Sequence, residues 1–267
     1  MPLTIATWNI NSVRLRIDLV AAFLEAERPD ILCLQEIKCT EGNFPADTFR
    51  ALGYPYQVVH GQKAYHGVAV VSRVPLKEES RRGFCGKDDA RHVAVSLEAG
   101  GLPLTLHNFY VPAGGDEPDP VTNEKFAHKL AFLEEMAGWL SGAETRGPAV
   151  LVGDLNVAPL ENDVWSHKQM LSVVSHTPVE TELLGKVIAA GGWIDAMRHF
   201  VPAEEKLYTW WSYRAQDWEA SARGRRLDHV WVTPPLKGRL LGLEVKRALR
   251  GWNRPSDHVP VILRLAG

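Results

Sequence analysis

The polar residues best suited to chemistry in this chain stand at the ends of apolar runs. Trp8-Asn9-Ile10-Asn11 closes one run, Leu34-Gln35-Glu36 a second, Phe109-Tyr110-Val111-Pro112 a third and Leu151-Val152-Gly153-Asp154-Leu155-Asn156 a fourth. Leu227-Asp228-His229 opens a fifth, and Pro255-Ser256-Asp257-His258 leads into a sixth. If these runs are strands of stacked sheets, their ends gather along one rim and bring carboxylates, amides, a phenol and an imidazole together. That set suits hydrolysis of a phosphodiester. The reaction needs a hard cation, an activated water, donors for the non-bridging oxygens and help for the leaving oxygen. Oxygen ligands with no cysteine favour Mg²⁺, with Mn²⁺ as a substitute, over zinc.

Glu36 is the first choice of metal ligand, with Asn9 beside it. Asp154 and Asn156 are two apart and share a face if the strand runs that far. Asp154 can then take a proton from water while Asn156 donates to the phosphate. Asp257 and His258 would point oppositely on a regular strand, but Pro255 and Pro260 imply irregular backbone that lets both face the site. His258 needs a partner to fix its tautomer and hold its charge, and Asp228 is the candidate. Each motif alone is weak, because a strand-end Asp is ordinarily a turn residue. Their occurrence in order, each at the mouth of an apolar run, carries the weight.

The elements that must position these residues are short and mostly strands. Leu3–Ile10, Ile31–Gln35, Gly67–Ser72, Val93–Leu97, Leu104–Tyr110, Ala149–Gly153, Leu227–Thr233 and Val259–Leu265 are apolar on both faces, as strands covered on both sides would be. Val13, Ile17, Val20 and Leu24 mark one face of a helix that opens near Ser12 and stops before Pro29. Phe126, Leu130, Leu133, Ala137 and Leu140 mark another that opens near Thr122–Asn123, and Thr181–Ala190 is a weaker third. Pro112–Val121, rich in proline and glycine, reads as irregular surface. Val68–Val71, Val93–Leu97 and Leu104–Tyr110 look like hairpin neighbours. Trp8, Trp193 and Trp231 read as core. Two mixed sheets packed face to face with helices outside, an α/β sandwich, fit this pattern better than one parallel sheet.

Composition narrows the class. The chain has 267 residues, 45% of them hydrophobic and 23% charged, which excludes disorder and coiled coil. A net charge of -2 argues against coating a polyanion by bulk charge. Charge is uneven, however. Nine basic residues face two acidic ones between Arg223 and Arg254, and ten acidic face three basic between Asp116 and Asp163. One basic third could hold a polyanion on one side. No apolar run approaches the ~18 residues that cross a bilayer, and the start does not read as a secretion signal. Cys33, Cys39 and Cys85 form no spacing motif and imply packed thiols in a reducing, cytoplasmic compartment.

The ordered motifs resemble the exonuclease III family of apurinic/apyrimidinic (AP) endonucleases, within the DNase I-like endonuclease/exonuclease/phosphatase superfamily. The matching stretches are Thr7–Asn11, Leu34–Lys38, His60–Lys63 with Gly67–Ala69, Arg81–Phe84, Gly153–Asn156, Asp195–His199, Tyr208–Arg214, Arg226–Asp228 and Pro255–His258. They extend over nearly the whole chain as one domain, 1–267. The resemblance implies a four-layered α/β sandwich and Mg²⁺-dependent cleavage 5′ to abasic sites. It also implies 3′-to-5′ exonuclease action and removal of blocked 3′ ends on duplex DNA by an intracellular monomer with no membrane partner. It assigns Asn9, Glu36 and Asp257 to the metal, and Tyr110, Asp154, Asn156, Asp228 and His258 to catalysis. Trp210, Leu227, Arg91 and Lys63 become substrate contacts, with Trp210 a wall of the pocket for a flipped-out sugar.

Two departures from the family pattern stand near that pocket. Ala113 replaces an amide that contacts phosphate, and Arg225 replaces a large apolar residue lining the sugar pocket. The loops Gly114–Val121 and Glu161–Thr181 also differ, and no long N-terminal extension is evident. Related phosphoesterases acting on inositol phosphates, sphingolipids or RNA share the core carboxylates. The basic stretch and the Trp210-Trp211 pair favour DNA, and the intact carboxylates argue against a non-catalytic nucleic-acid binder.

Overall fold

The computed structural model describes residues 2–99, 101–142, 147–215 and 217–267. Two six-stranded mixed sheets form its centre. The first has the spatial order β13 (Leu240–Val245), β14 (Val261–Leu265), β1 (Leu3–Asn9), β2 (Ile31–Gln35), β4 (Val68–Ser72), β3 (Tyr56–His60). The second has the order β5 (Lys77–Ser80), β6 (His92–Ala99), β7 (Leu102–Tyr110), β8 (Ala149–Asp154), β12 (Asp228–Val232), β9 (Ile194–Asp195). A ribbon of β10 (Trp210–Trp211) and β11 (Gly224–Arg225) forms a third, two-stranded sheet. The longer helices are α1 (Ile17–Glu27), α3 (Glu124–Leu140) and α5 (Pro178–Gly191). Shorter ones are α2 (Ala46–Ala51), α4 (His167–Met170), α6 (Ala196–Phe200) and α7 (Trp218–Ser221).

Strand periodicity divides the apolar residues between three layers of packing. Along β1, Leu3 and Ile5 enter the core between the sheets, while Ala6 and Trp8 face α1 and α2. Along β8 and β12, Val150, Val152, Val230 and Val232 enter the same inter-sheet core, while Leu151 and Trp231 pack under α3 and α5. The result is helix, sheet, sheet, helix, the four layers expected of runs that are apolar on both faces. Trp8, Trp193 and Trp231 are buried, as predicted.

Two parallel pairs set the functional rim. β1 lies parallel to β2 with Asn9 opposite Gln35, and β7 lies parallel to β8 with Tyr110 opposite Asp154. Parallel strands finish at the same end, so each sheet sends two polar strand ends the same way. β12 runs antiparallel to β8 and starts at that end, with Asp228 opposite Asp154.

The structure corrects several sequence expectations. α1 opens at Ile17, not near Ser12. Asn11 and Ser12 take left-handed φ values of 48° and 85°, and the Ser12 and Val13 amides donate to Glu36 O and Ile37 O at 2.7 and 3.2 Å. The chain is held alongside the continuation of β2 before a helix can start. α5 opens at Pro178, ahead of the predicted Thr181, because Thr177 and Glu180 form a capping box with proline at the first helical position. β6 and β7 do pair as a hairpin, but Val68–Val71 lies in the other sheet, between β2 and β3. The chain changes sheets between β4 and β5, where Val74 and Leu76 pack against the inter-sheet core. The basic third is also less exposed than its sequence suggests. Arg226 and Arg250 are buried, and Lys246 pairs with Glu27 and Glu244. Glu144 and Arg146 of the acidic stretch lie outside the described residues.

Candidate active site

Backbone geometry turns the strand ends toward one another. Glu36 leaves β2 at φ 49° and Asn156 follows β8 at φ 54°. This region is uncommon for non-glycine residues and strained for glutamate, and its neighbours hold it in place. Glu36 O accepts from Ser12 N, and Ile37 N donates to Gly67 O at 3.2 Å. At Gly153 the chain has φ 139°, and a Cβ there would lie 2.0 Å from Phe109 O, so the Gly-Asp-Leu-Asn turn needs its glycine. Beneath the rim a polar clamp joins the sheets. Gln35 Nε2 donates to Thr7 Oγ1 at 2.9 Å and Asn108 Oδ1 at 2.7 Å, and Asn108 Nδ2 donates to Leu34 O and Ala69 O, both at 3.0 Å.

The side chains then meet in one bonded cluster. Asn9 Nδ2 donates to Glu36 Oε1 at 2.9 Å and to Asp154 Oδ2 at 2.8 Å. Tyr110 OH donates to Glu36 Oε1 at 2.9 Å. The His258 Nδ1–Asp228 Oδ2 distance is 2.8 Å, and His258 Nε2 stands 3.7 Å from Asp154 Oδ2. Asn156 is within the cluster, but its Nδ2 is shared between Val111 O at 2.9 Å and Asp154 Oδ2 at 3.1 Å. Asp257 accepts from Asn11 Nδ2 at 3.1 Å and from Trp210 Nε1 at 3.0 Å. It sits with His258 on non-strand backbone ahead of β14, as the two prolines implied.

Charge in the cluster is unevenly compensated. Burial opposes ionisation of Glu36, but Lys38, 2.8 Å away, and the Asn9 amide outweigh it and hold the carboxylate below its ordinary range. Burial likewise opposes the Asp257 charge, and His258, Asn11 and Trp210 more than offset it. At Asp154 burial wins. Reinforced by the Asp228 and Glu36 carboxylates, it pushes the group up to about 7 in spite of His258 and Asn9. Burial would lower His258, but Asp228 and then Asp154 raise it to about 10, so the ring is an imidazolium at neutral pH. Burial, then Glu36, raises Tyr110 well above the ordinary phenol, and it remains a donor. One oxygen each of Asp154 and Asp228 and one nitrogen of His258 lie within 4.8 Å of one another. Within this trio the His258–Asp228 bond occupies Nδ1 and one carboxylate oxygen, and Glu36 and Asp257 line the adjoining cavity.

Around the cluster is a cavity of about 250 Å³ lined by Glu36, Asn156, Trp210, Leu227, Asp257 and His258, among others. Arg225 and Ala113, the two departures, also line it. A second cavity of about 690 Å³ adjoins Tyr110 and carries Arg91, Lys87, Lys125 and His128. Arg91 places its guanidinium 5.0 Å from the Tyr110 ring and donates to Tyr110 O at 3.3 Å. Lys63 is exposed in the loop after β3 and is the one predicted site residue not drawn into the cluster or its walls.

Several positioning residues were not singled out from the sequence. Thr209 Oγ1 accepts from the amides of Leu227 and Asp228, both at 3.1 Å. Ser256 Oγ donates to Asn9 O at 2.7 Å and accepts from His258 N at 3.2 Å. Trp8 Nε1 donates to His258 O at 3.0 Å. Trp8, Thr209 and Ser256 all belong to stretches already marked, but only the fold shows that their polar atoms face the site.

Comparison with known proteins agrees with this architecture. The model of the Endonuclease/Exonuclease/phosphatase family matches residues 6–258. Exodeoxyribonuclease III of Haemophilus influenzae is 30% identical over 96% of this chain and 97% of its own length. An AP endonuclease from Archaeoglobus fulgidus superposes with a TM-score of 0.89 at 32% identity, covering 98% of this chain and 99% of that one. A Neisseria 3′ phosphatase bound to a product DNA hairpin superposes with a TM-score of 0.88 at 29% identity, over 99% of this chain and all of the other. The chain belongs to the endonuclease/exonuclease/phosphatase family, in its exonuclease III branch.

Proposed function

We propose that the chain is a DNA-repair nuclease, a single domain that hydrolyses the phosphodiester 5′ to an abasic site and trims or cleans 3′ ends of duplex DNA. The reading includes action as an intracellular monomer without a membrane partner. The observation that carries it is the continuous bonded path from Tyr110 through Glu36 and Asn9 to Asp154, with the His258–Asp228 pair beside it. The names of the relatives, a nuclease, an AP endonuclease and a 3′ phosphatase, support it.

The donor set fits a hard divalent cation. Glu36 and Asp154 share one amide nitrogen of Asn9, and burial, reinforced by the Asp228 and Glu36 carboxylates, lifts Asp154 to about 7. Glu36, Asn9 and Asp257 would hold Mg²⁺, or Mn²⁺ in its place, and the ion would lend positive charge to the phosphate oxygens. The protein's own groups divide the rest. Asp154 titrates near neutral pH and is suited to accept a proton from the attacking water. His258, raised by Asp228 and Asp154, is suited to donate from Nε2 to a non-bridging oxygen, with Asp228 holding the charge. Asn156 orients Asp154 through its backbone amide at 3.0 Å. Trp210 and Leu227 wall the sugar, and Arg91 steadies Tyr110. Oxygen from water bonds to phosphorus, the bond to the 3′ oxygen breaks, and a 3′-hydroxyl remains.

An abasic-site duplex tests the reading. The protein should nick it 5′ to the lesion with Mg²⁺, leave a 3′-hydroxyl and stop in EDTA. A duplex left whole in Mg²⁺ would refute the activity, and a nick that survives the chelator would refute the metal assignment.

A further inference from the structure

Arg225 is built into the wall of the reacting cavity. β11 places it directly opposite Trp210, and its carbonyl accepts from Thr209 N at 2.9 Å. Gly224 fixes the approach, since a Cβ there would lie 2.5 Å from the Tyr208 ring. The guanidinium carbon sits 4.9 Å from the Trp210 ring centroid, and Nη1 donates to Val174 O at 3.1 Å and Ser175 Oγ at 3.0 Å. That turn is itself held. Ser175 has φ 90° and its amide donates to both Glu180 oxygens, at 3.0 and 2.9 Å, while Glu180 pairs with buried Lys129.

The guanidinium is therefore posed, yet not used up. It carries five N–H donors. Nη1 accounts for two; Nε is buried without a partner, and Nη2 has none among the described residues. A cation with spare donors, lining the same cavity as Asn156 and His258, is equipped to bind a further anionic oxygen.

We infer that Arg225 recognises the extra charged oxygen of a 3′-phosphomonoester end and makes this enzyme favour removal of 3′-phosphates over cleavage at abasic sites. The inference rests on the nuclease reading above and names its preferred substrate. In the abasic diester, phosphorus carries two non-bridging oxygens and a third that continues into the abasic sugar. On a 3′-phosphate end the third oxygen is bare and charged. An apolar wall packs against the sugar, whereas the Arg225 guanidinium has Nη2 to offer the bare oxygen. Hydrolysis of the end is the same displacement. Water oxygen bonds to phosphorus, the bond to the 3′ oxygen breaks, that oxygen leaves as the hydroxyl, and inorganic phosphate is released. Arg225 also supplies a donor where Ala113 has none.

The test compares kcat/KM on two duplexes of one sequence, one nicked with a 3′-phosphate and one carrying an abasic site. Wild type should process the 3′-phosphate at least about tenfold more efficiently, and Arg225→Trp should lower that ratio by about 10- to 100-fold, the worth of a charge-assisted hydrogen bond. Arg225→Lys keeps the charge without the fork, and its ratio should fall between the two; it serves if the tryptophan variant does not fold. Inorganic phosphate should inhibit wild type more strongly than either variant. Equal loss on both substrates, or an unchanged ratio, would overturn the inference. A wild type that processes neither substrate would instead overturn the nuclease reading.

Discussion

Two ionic clusters in this protein, each built around a fully buried aspartate, serve opposite ends. At the rim, Glu36, Asp154, Asp228 and Asp257 gather around His258 and Lys38, and Asp154 is pushed up to about 7. Beside β12, Asp163 takes Arg226 Nε and Nη2, both at 2.8 Å, and Arg198 Nη2 at 2.5 Å, while Arg226 Nη1 reaches Asp195 at 2.6 Å. There two guanidiniums answer two carboxylates. Burial opposes the Asp163 charge, but Arg226 and Arg198 hold it below the usual range. A neutralised cluster is complete and can only be broken; one with surplus negative charge is stabilised by what binds to it. Burial alone does not distinguish them, since Asp154 and Asp163 are both fully buried. Charge balance does.

The sharpest break between the two comes from paired amides. Asp154→Asn should lower abasic-site cleavage by about 10²- to 10⁴-fold, the range for a lost general base, with the melting temperature held or raised. Asp163→Asn should do the reverse. It leaves Arg226 and Arg198 short of a partner at a cost of about 3–5 kcal/mol, read by denaturant unfolding, while turnover per folded molecule is kept. If Asp154→Asn destabilises and Asp163→Asn inactivates, the contrast is wrong.

The pH dependence of stability sharpens it further, because the two clusters slope in opposite directions. The Asp163 pKa is lowered on folding, so its contribution is complete above its ordinary value near 3.8 and is lost as pH falls through the lower, folded value. The His258 pKa is raised from 6.5 to about 10, so its contribution is complete below 6.5 and is lost as pH rises toward 10. Melting temperatures of the metal-free protein should therefore decline between those values. His258→Asn should flatten that alkaline limb and Asp163→Asn the acid one. A wild-type alkaline limb that His258→Asn leaves unchanged would contradict the assignment. The smallest effect expected is that of Ser256→Ala, which removes the bonds to Asn9 O and His258 N. Its cost should be about 1 kcal/mol in stability or transition-state binding.

What the sequence disclosed follows from the same physics. β1, β2, β7, β8, β12 and β14 were legible because most of each strand is buried and apolar residues recur on both of its faces. Lys77–Ser80 and Leu240–Val245 were not, because an edge strand with one wet face carries charges and glycine. The rim residues were legible because each ends an apolar run. The neutral cluster was not: Asp163 stands outside the marked stretches, Asp195 and Arg198 in one of them and Arg226 in another, and nothing in their spacing shows that they pair. Nor could the sequence show that Arg226 and Arg250 of the basic third turn inward.

Locating a cation tests the central contrast most directly. Crystals soaked in Mn²⁺ and measured for anomalous scattering should show one peak on the Glu36 carboxylate beside Asn9, and none at Asp163. A peak centred between Asp154, Asp228 and His258, or no peak at the rim at millimolar Mn²⁺, would contradict the account.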